Sequence, residues 1–146
     1  MNRAGKASPL VVIGILCVVA LVGAIFFLQG AESPATRANA FLSALGQGDV
    51  DGILSTSTFG DEPVESVRKK WEKTVHRAEF YRFHWDIKGS SNASEEEANV
   101  AVDMYKHADN PNTTSSRVQI PMIKIGDKWF VDAKSLNRDM FPALPR

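Results

Sequence analysis

His84 and Asp86 stand two residues apart, the spacing that puts both on one face of a strand, as the first two ligands of a metal site would need. The other polar candidates for chemistry are His76, Asp103 and His107. A metal centre needs a third convergent ligand, and the sequence supplies none at a recognisable spacing. One cysteine, Cys17, excludes an intramolecular disulfide and a thiolate zinc site. There is no G-x-S-x-G elbow, no phosphate-binding P-loop and no dinucleotide fingerprint. The sequence therefore predicts no catalytic residues, no metal and no cofactor. Arg68-Lys69-Lys70 and Glu95-Glu96-Glu97 read as solvated charge runs, and Asn92-Ala93-Ser94 and Asn112-Thr113-Thr114 as glycosylation sequons whose use depends on the host.

The elements that must position these residues begin with a nineteen-residue uncharged run, Leu10 to Leu28. As a helix it would span roughly 28 Å, close to the thickness of a bilayer's hydrocarbon core. It is longer than the apolar core of a secretory signal and ends in Ile25, Phe26, Phe27 and Leu28, a poor cleavage context. Arg3 and Lys6 precede it, so the positive-inside rule leaves residues 1–9 in the cytoplasm and the rest of the chain outside. The expectation is a single-pass signal anchor at residues 10–28 in a cell membrane, a tether at 29–35, an extracytoplasmic domain at 36–134 and a tail at 135–146.

The whole chain of 146 residues has 17 basic and 17 acidic side chains and a formal net charge of zero. Without Arg3 and Lys6 the exported part stands at −2. Nucleic-acid binding draws its affinity from phosphate neutralisation, so this balance argues against a nucleic-acid partner. Apolar residues make up 44%, enough for a core in one domain.

Three helices come first in that domain. Ser33-Pro34 reads as an N-cap and first helical residue, followed by Ala38, Phe41, Leu42 and Leu45 at helical spacing, with Gly46 and Gly48 as the stop. Asp49 caps a short second helix carrying Ile53 and Leu54, and Ser55 to Gly60 reads as a polar loop. A third helix is predicted over 61–76, with Val64, Val67, Trp71 and Val75 as its apolar stripe. The period then changes from 3.6 to 2.

In 80–88, Tyr81, Phe83, Trp85 and Ile87 alternate with charged and polar residues; in 97–105, Ala98, Val100, Val102 and Met104 do. Pairing Tyr81 with Met104, Phe83 with Val102, Trp85 with Val100 and Ile87 with Ala98 also sets Arg82 opposite Asp103 and Lys88 opposite Glu97. Arg117 to Ile125 is a third strand with a bulge or sheet edge expected at Pro121. Gly126-Asp127 turns it into a fourth, Lys128 to Ala133. The predicted fold is α+β: a transmembrane helix, then three helices packed on one face of a four-stranded antiparallel meander sheet.

The stretches AFLSALGQGDVDGIL (Ala40 to Leu54) and IGDKWFVDA (Ile125 to Ala133), with this element order, resemble the nuclear-transport-factor-2-like superfamily, the cystatin-like cone fold, in its small bacterial membrane-anchored members of unknown function. The resemblance implies a curved sheet wrapped on helices, with a pocket at the cone mouth. Its enzymes place an Asp or a His–Asp pair inside the cone. Here the strand phase puts His84, Asp86 and Asp103 on the opposite face and fills the interior with Trp71, Tyr81, Phe83 and Trp85, the candidates for lining a ligand pocket.

Ile123, Ile125 and Phe130 fall on the outer face, where they are candidates for an interface. The expected role is a membrane-tethered extracytoplasmic binding or protein-interaction module without catalytic activity, not an enzyme. The alternative is an enzyme or carrier acting on a small apolar ligand inside the cone. Expected partners are the membrane through Leu10 to Leu28, a homodimer through the outer sheet face, and an unidentified envelope protein.

Overall fold

Ser33 has extended backbone and accepts a hydrogen bond from the Thr36 N–H, so it caps the helix that Pro34 opens, as the sequence predicts. Helix α1 runs Pro34–Gln47. Gly48 ends it in the left-handed conformation, and a Cβ there would meet Val75 Cγ1 at 2.8 Å, so only glycine suits both the backbone and the packing. Asp49 caps the Gly52 N–H and starts α2, Val50–Thr56. A computed structural model of the chain describes residues 32–76, 83–106 and 115–138. No helix among these is long and apolar enough to cross a membrane; the Leu10–Leu28 run lies outside them.

The expected polar loop after α2 is partly sheet. Ser57–Thr58 forms a short strand, β1, parallel to Val131 and Asp132. Two residues are too few to show periodicity in a sequence. Helix α3, Val64–Val75, starts later than predicted because Pro63 takes the cap position. Val67 and Trp71 are buried, but Val64, at its first residue, is exposed.

Four long strands complete the sheet: β2 Phe83–Asn92, β3 Glu97–Lys106, β4 Ser115–Ile125 and β5 Lys128–Asp132. Their order is β1-β5-β4-β3-β2. The sheet is thus five-stranded and mixed rather than a four-stranded antiparallel meander. Alternate residues of the central strands (Ala98, Val100, Val102 and Met104; Val118, Ile120 and Met122) form the core with Phe41, Leu42 and Leu45 of α1 and Trp71 of α3.

The expected β2–β3 register is displaced by four residues as far as Ile87 and by five beyond it. Met104 faces Trp85 rather than Tyr81, Val102 faces Ile87 rather than Phe83, and Val100 and Ala98 face Ser90 and Asn92. The cause is the position of the turn, which lies at residues 93–96 because the Gly-Ser-Ser-Asn run continues the strand; a bulge between Ile87 and Gly89 takes up one residue of the offset. Asp103 consequently faces Asp86, and Lys88 does not face Glu97.

Of the bulge or sheet edge expected at Pro121, the bulge is absent: β3 and β4 pair without a shift, Pro121 opposite Asn99. The Lys124 N–H donates to Glu96 on the β3 side, so by alternation the Pro121 nitrogen points towards β5, where that strand ends at Asp132. A proline therefore fits an inner strand without breaking the β3–β4 ladder.

Candidate functional site

The helix-facing side of the sheet carries the predicted pocket residues. Trp85 is half-buried and donates its indole N–H to Asn39 Oδ1 on α1 at 2.8 Å, while its ring edge lies beside Gly46. The Phe83 and Trp85 rings are 5.5 Å apart at 53°. Trp71 lies deeper, fully buried, with its ring 6.1 Å from that of Phe41 in an edge-on contact. Its indole nitrogen is buried and has no hydrogen-bond partner. Tyr81 lies outside the described residues. The structure therefore brings Phe83 and Trp85 together and seats Trp71 against α1.

The opposite face carries the charged groups. Arg117 grips Asp103 with two hydrogen bonds, Nε to Oδ1 at 2.7 Å and Nη2 to Oδ2 at 3.0 Å. Lys88 bonds Asp86 and lies 3.7 Å from Asp103. Asp86 and Asp103 are directly opposite in the ladder, so two carboxylates share two cations. The Arg117 hydrogen bonds hold the Asp103 carboxyl below the usual carboxylate range, and the bond to Asp86 pushes the Lys88 ammonium up. Asp103 therefore stays ionised and serves poorly as a proton donor near neutral pH.

Sequence reasoning gave Asp103 to Arg82 and overlooked Arg117. The available signal was the β3–β4 alignment, which sets Arg117 directly opposite Asp103. His84 is exposed opposite Tyr105, His76 is exposed at the end of α3, and His107 lies outside the described residues. No group of three His, Cys, Asp or Glu side chains among the described residues could hold a metal ion.

Of the interface candidates, Ile123 and Phe130 are cross-strand partners and both half-buried, whereas Ile125 is 53% exposed. The Arg37 guanidinium, paired with Glu32 at 2.5 Å, sits 5.7 Å from the Phe130 ring centre. Phe130 is therefore partly sheltered by the first turn of α1 rather than bare.

Sequence reasoning also missed a depression of about 200 Å³ lined in part by Glu97, Asn99, Pro121, Ile123, Asp132 and Ser135. It forms only once the β3–β5 register is known. Its Asp132 carboxylate is engaged by the Ser135 hydroxyl and the Lys134 N–H.

No protein-family model matches the chain, and no curated protein matches it. Among solved structures, a Campylobacter jejuni protein described as an NTF2-like transpeptidase superposes with a TM-score of 0.53 at 19% identity, over 68% of this chain and 97% of that one. An NTF2-like protein of unknown function from Shewanella oneidensis MR-1 gives 0.48 at 15%, over 66% and 88%. The domain has an NTF2-like fold.

Proposed function

We propose that this NTF2-like domain is a non-catalytic binding or protein-interaction module, held on the extracytoplasmic side of a membrane by Leu10 to Leu28. The observation that carries the reading is the segregation of chemistry across the sheet. The titratable groups at its centre, Asp86, Lys88, Asp103 and Arg117, lie on the face away from the helices and neutralise one another. The helix-facing side offers aromatic and aliphatic surface instead, with Phe83, Trp85 and Ile87 half-buried along β2. Such a surface binds by burial of apolar area.

The proposal does not take over the name of the Campylobacter neighbour, whose likeness is one of fold alone.

A second reading, a carrier for a small and mostly apolar ligand, draws on the buried Trp71 N–H, which a ligand with one acceptor oxygen would satisfy. Mass spectrometry of the purified full chain after denaturation tests both. A reproducible small molecule released in stoichiometric amount supports the carrier. Its absence, together with a protein cross-linked specifically to Ile125, supports the interaction module. Turnover of any added substrate that is lost in Asp103→Asn without unfolding would refute the non-catalytic reading.

A further inference from the structure

Among the described residues β2 ends the sheet, with a strand partner on one side alone. Two backbone hydrogen bonds fix which of its backbone groups face outward. Lys124 N–H donates to Glu96, and Ala93 N–H donates to Glu97. Alternation then directs the odd-numbered residues of β3 towards β2, so His84 and Asp86 bond Tyr105 and Asp103, and the N–H and C=O of Trp85 and Ile87 point away from β3.

We propose that two copies of this chain pair through this edge, antiparallel and centred on Trp85. The segment Phe83-His84-Trp85-Asp86-Ile87 is complementary to itself in that register. Trp85 faces its own copy and Phe83 faces Ile87, joining the half-buried apolar side chains on the helix-facing side. His84 faces Asp86 twice on the other side, an imidazole against a carboxylate. The outward backbone groups of Trp85 and Ile87 meet outward groups of the second copy, so hydrogen-bonding positions match as well as side chains.

The bulge between Ile87 and Gly89 ends the segment. Bulges and edge lysines such as Lys88 oppose further pairing, so the contact is confined to these five residues and the register is fixed rather than sliding. The symmetry is that of an isologous dimer, which closes on itself. A five-residue edge is a small contact. The membrane tether of the proposed function would raise the local concentration that a weak pair needs. The pairing itself rests on no interior ligand.

The test uses the full chain in detergent micelles and in phosphatidylcholine vesicles, with Cys17→Ser as background. His84→Cys and Asp86→Cys chains, mixed and mildly oxidised, should form a disulfide dimer across the non-hydrogen-bonded pair, whose Cα atoms would lie about 4.5 Å apart. Either variant alone should give several-fold less. His84→Asp sets like charges opposite twice and should weaken dimerisation about tenfold, and adding Asp86→Lys should restore it. Circular dichroism checks that each variant is folded; the His84 and Asp86 side chains are exposed in the monomer. If the mixed variants cross-link no better than each alone, or His84→Asp leaves the dimer population unchanged, the pairing is wrong. If pairing persists in micelles but not in vesicles, the edge contact is an effect of detergent and the proposal also fails. None of these results bears on whether the interior holds a ligand.

Discussion

Trp71→Phe sets two effects of similar size against each other. Trp71 is fully buried and its indole nitrogen has no hydrogen-bond partner. A buried donor left unpaired costs about 1–3 kcal/mol, and phenylalanine removes it. The smaller ring also leaves a void of roughly 40 Å³, which at about 24 cal/mol per Å³ costs about 1 kcal/mol. The edge-on contact with Phe41 survives, since phenylalanine presents the same kind of ring. With the lost transfer free energy of the missing ring atoms, about 1 kcal/mol more, the net expectation is a change within about 1 kcal/mol of zero in either direction. Trp71→Ala, which loses the ring as well, should cost about 3–5 kcal/mol. Urea denaturation of both variants beside the wild type, followed by circular dichroism, gives the comparison. A loss above about 2 kcal/mol for Trp71→Phe would refute the reasoning, because it would mean that the indole N–H has an acceptor in solution.

Acid should weaken the sheet through Asp103. Its folded pKa is lowered by Arg117, so its contribution is present above about pH 4 and disappears as pH falls through the lowered value; Asp103→Asn should flatten the acid limb of a stability–pH curve. Gly48→Ala meets both a positive φ and Val75 and should destabilise by about 2 kcal/mol or more in thermal unfolding, beyond the ~1 kcal/mol of a left-handed residue alone. Ser33→Ala removes the cap of α1 and should cost about 1 kcal/mol by denaturant titration. Protease added to intact spheroplasts should digest the domain; protection while a known external protein is cut would refute the orientation expected from Arg3 and Lys6.

The helical half of the domain was largely legible because its signals are local. Ser33-Pro34, Gly48 and Asp49 each act through their own backbone conformation or a bond three residues away, and each does what its type predicts. The sheet was legible in its faces and not in its register. A slip of four residues keeps every apolar side chain on the same side, so Trp85 opposite Val100 and Trp85 opposite Met104 look equally good in sequence. Arg82 offered Asp103 a plausible partner that Arg117 supplies instead, from a strand later in the chain. Gly89 and the two serines after it have turn composition, but they remain in the strand, past one bulge. The candidate site shares these limits. Phe83 and Trp85 followed from alternation, whereas the depression beside Asp132 required three strands in register.

The short β1 strand has a consequence for the order in which the protein can be made. Ser57 pairs with Val131, 74 residues later in the chain. While the polypeptide emerges from the ribosome, α1 to α3 are complete long before any of the central strands exists. Phe41, Leu42, Leu45 and Trp71 then lack the strands they finally cover. Helices of this length gain most of their stability from such packing, so this half is expected to remain loosely formed until β3 and β4 are released. Long-range pairing is slow because loop closure precedes its reward. A nascent chain stopped before Glu97, and so without either central strand, would thus expose the apolar face of three helices, a natural substrate for a holding chaperone.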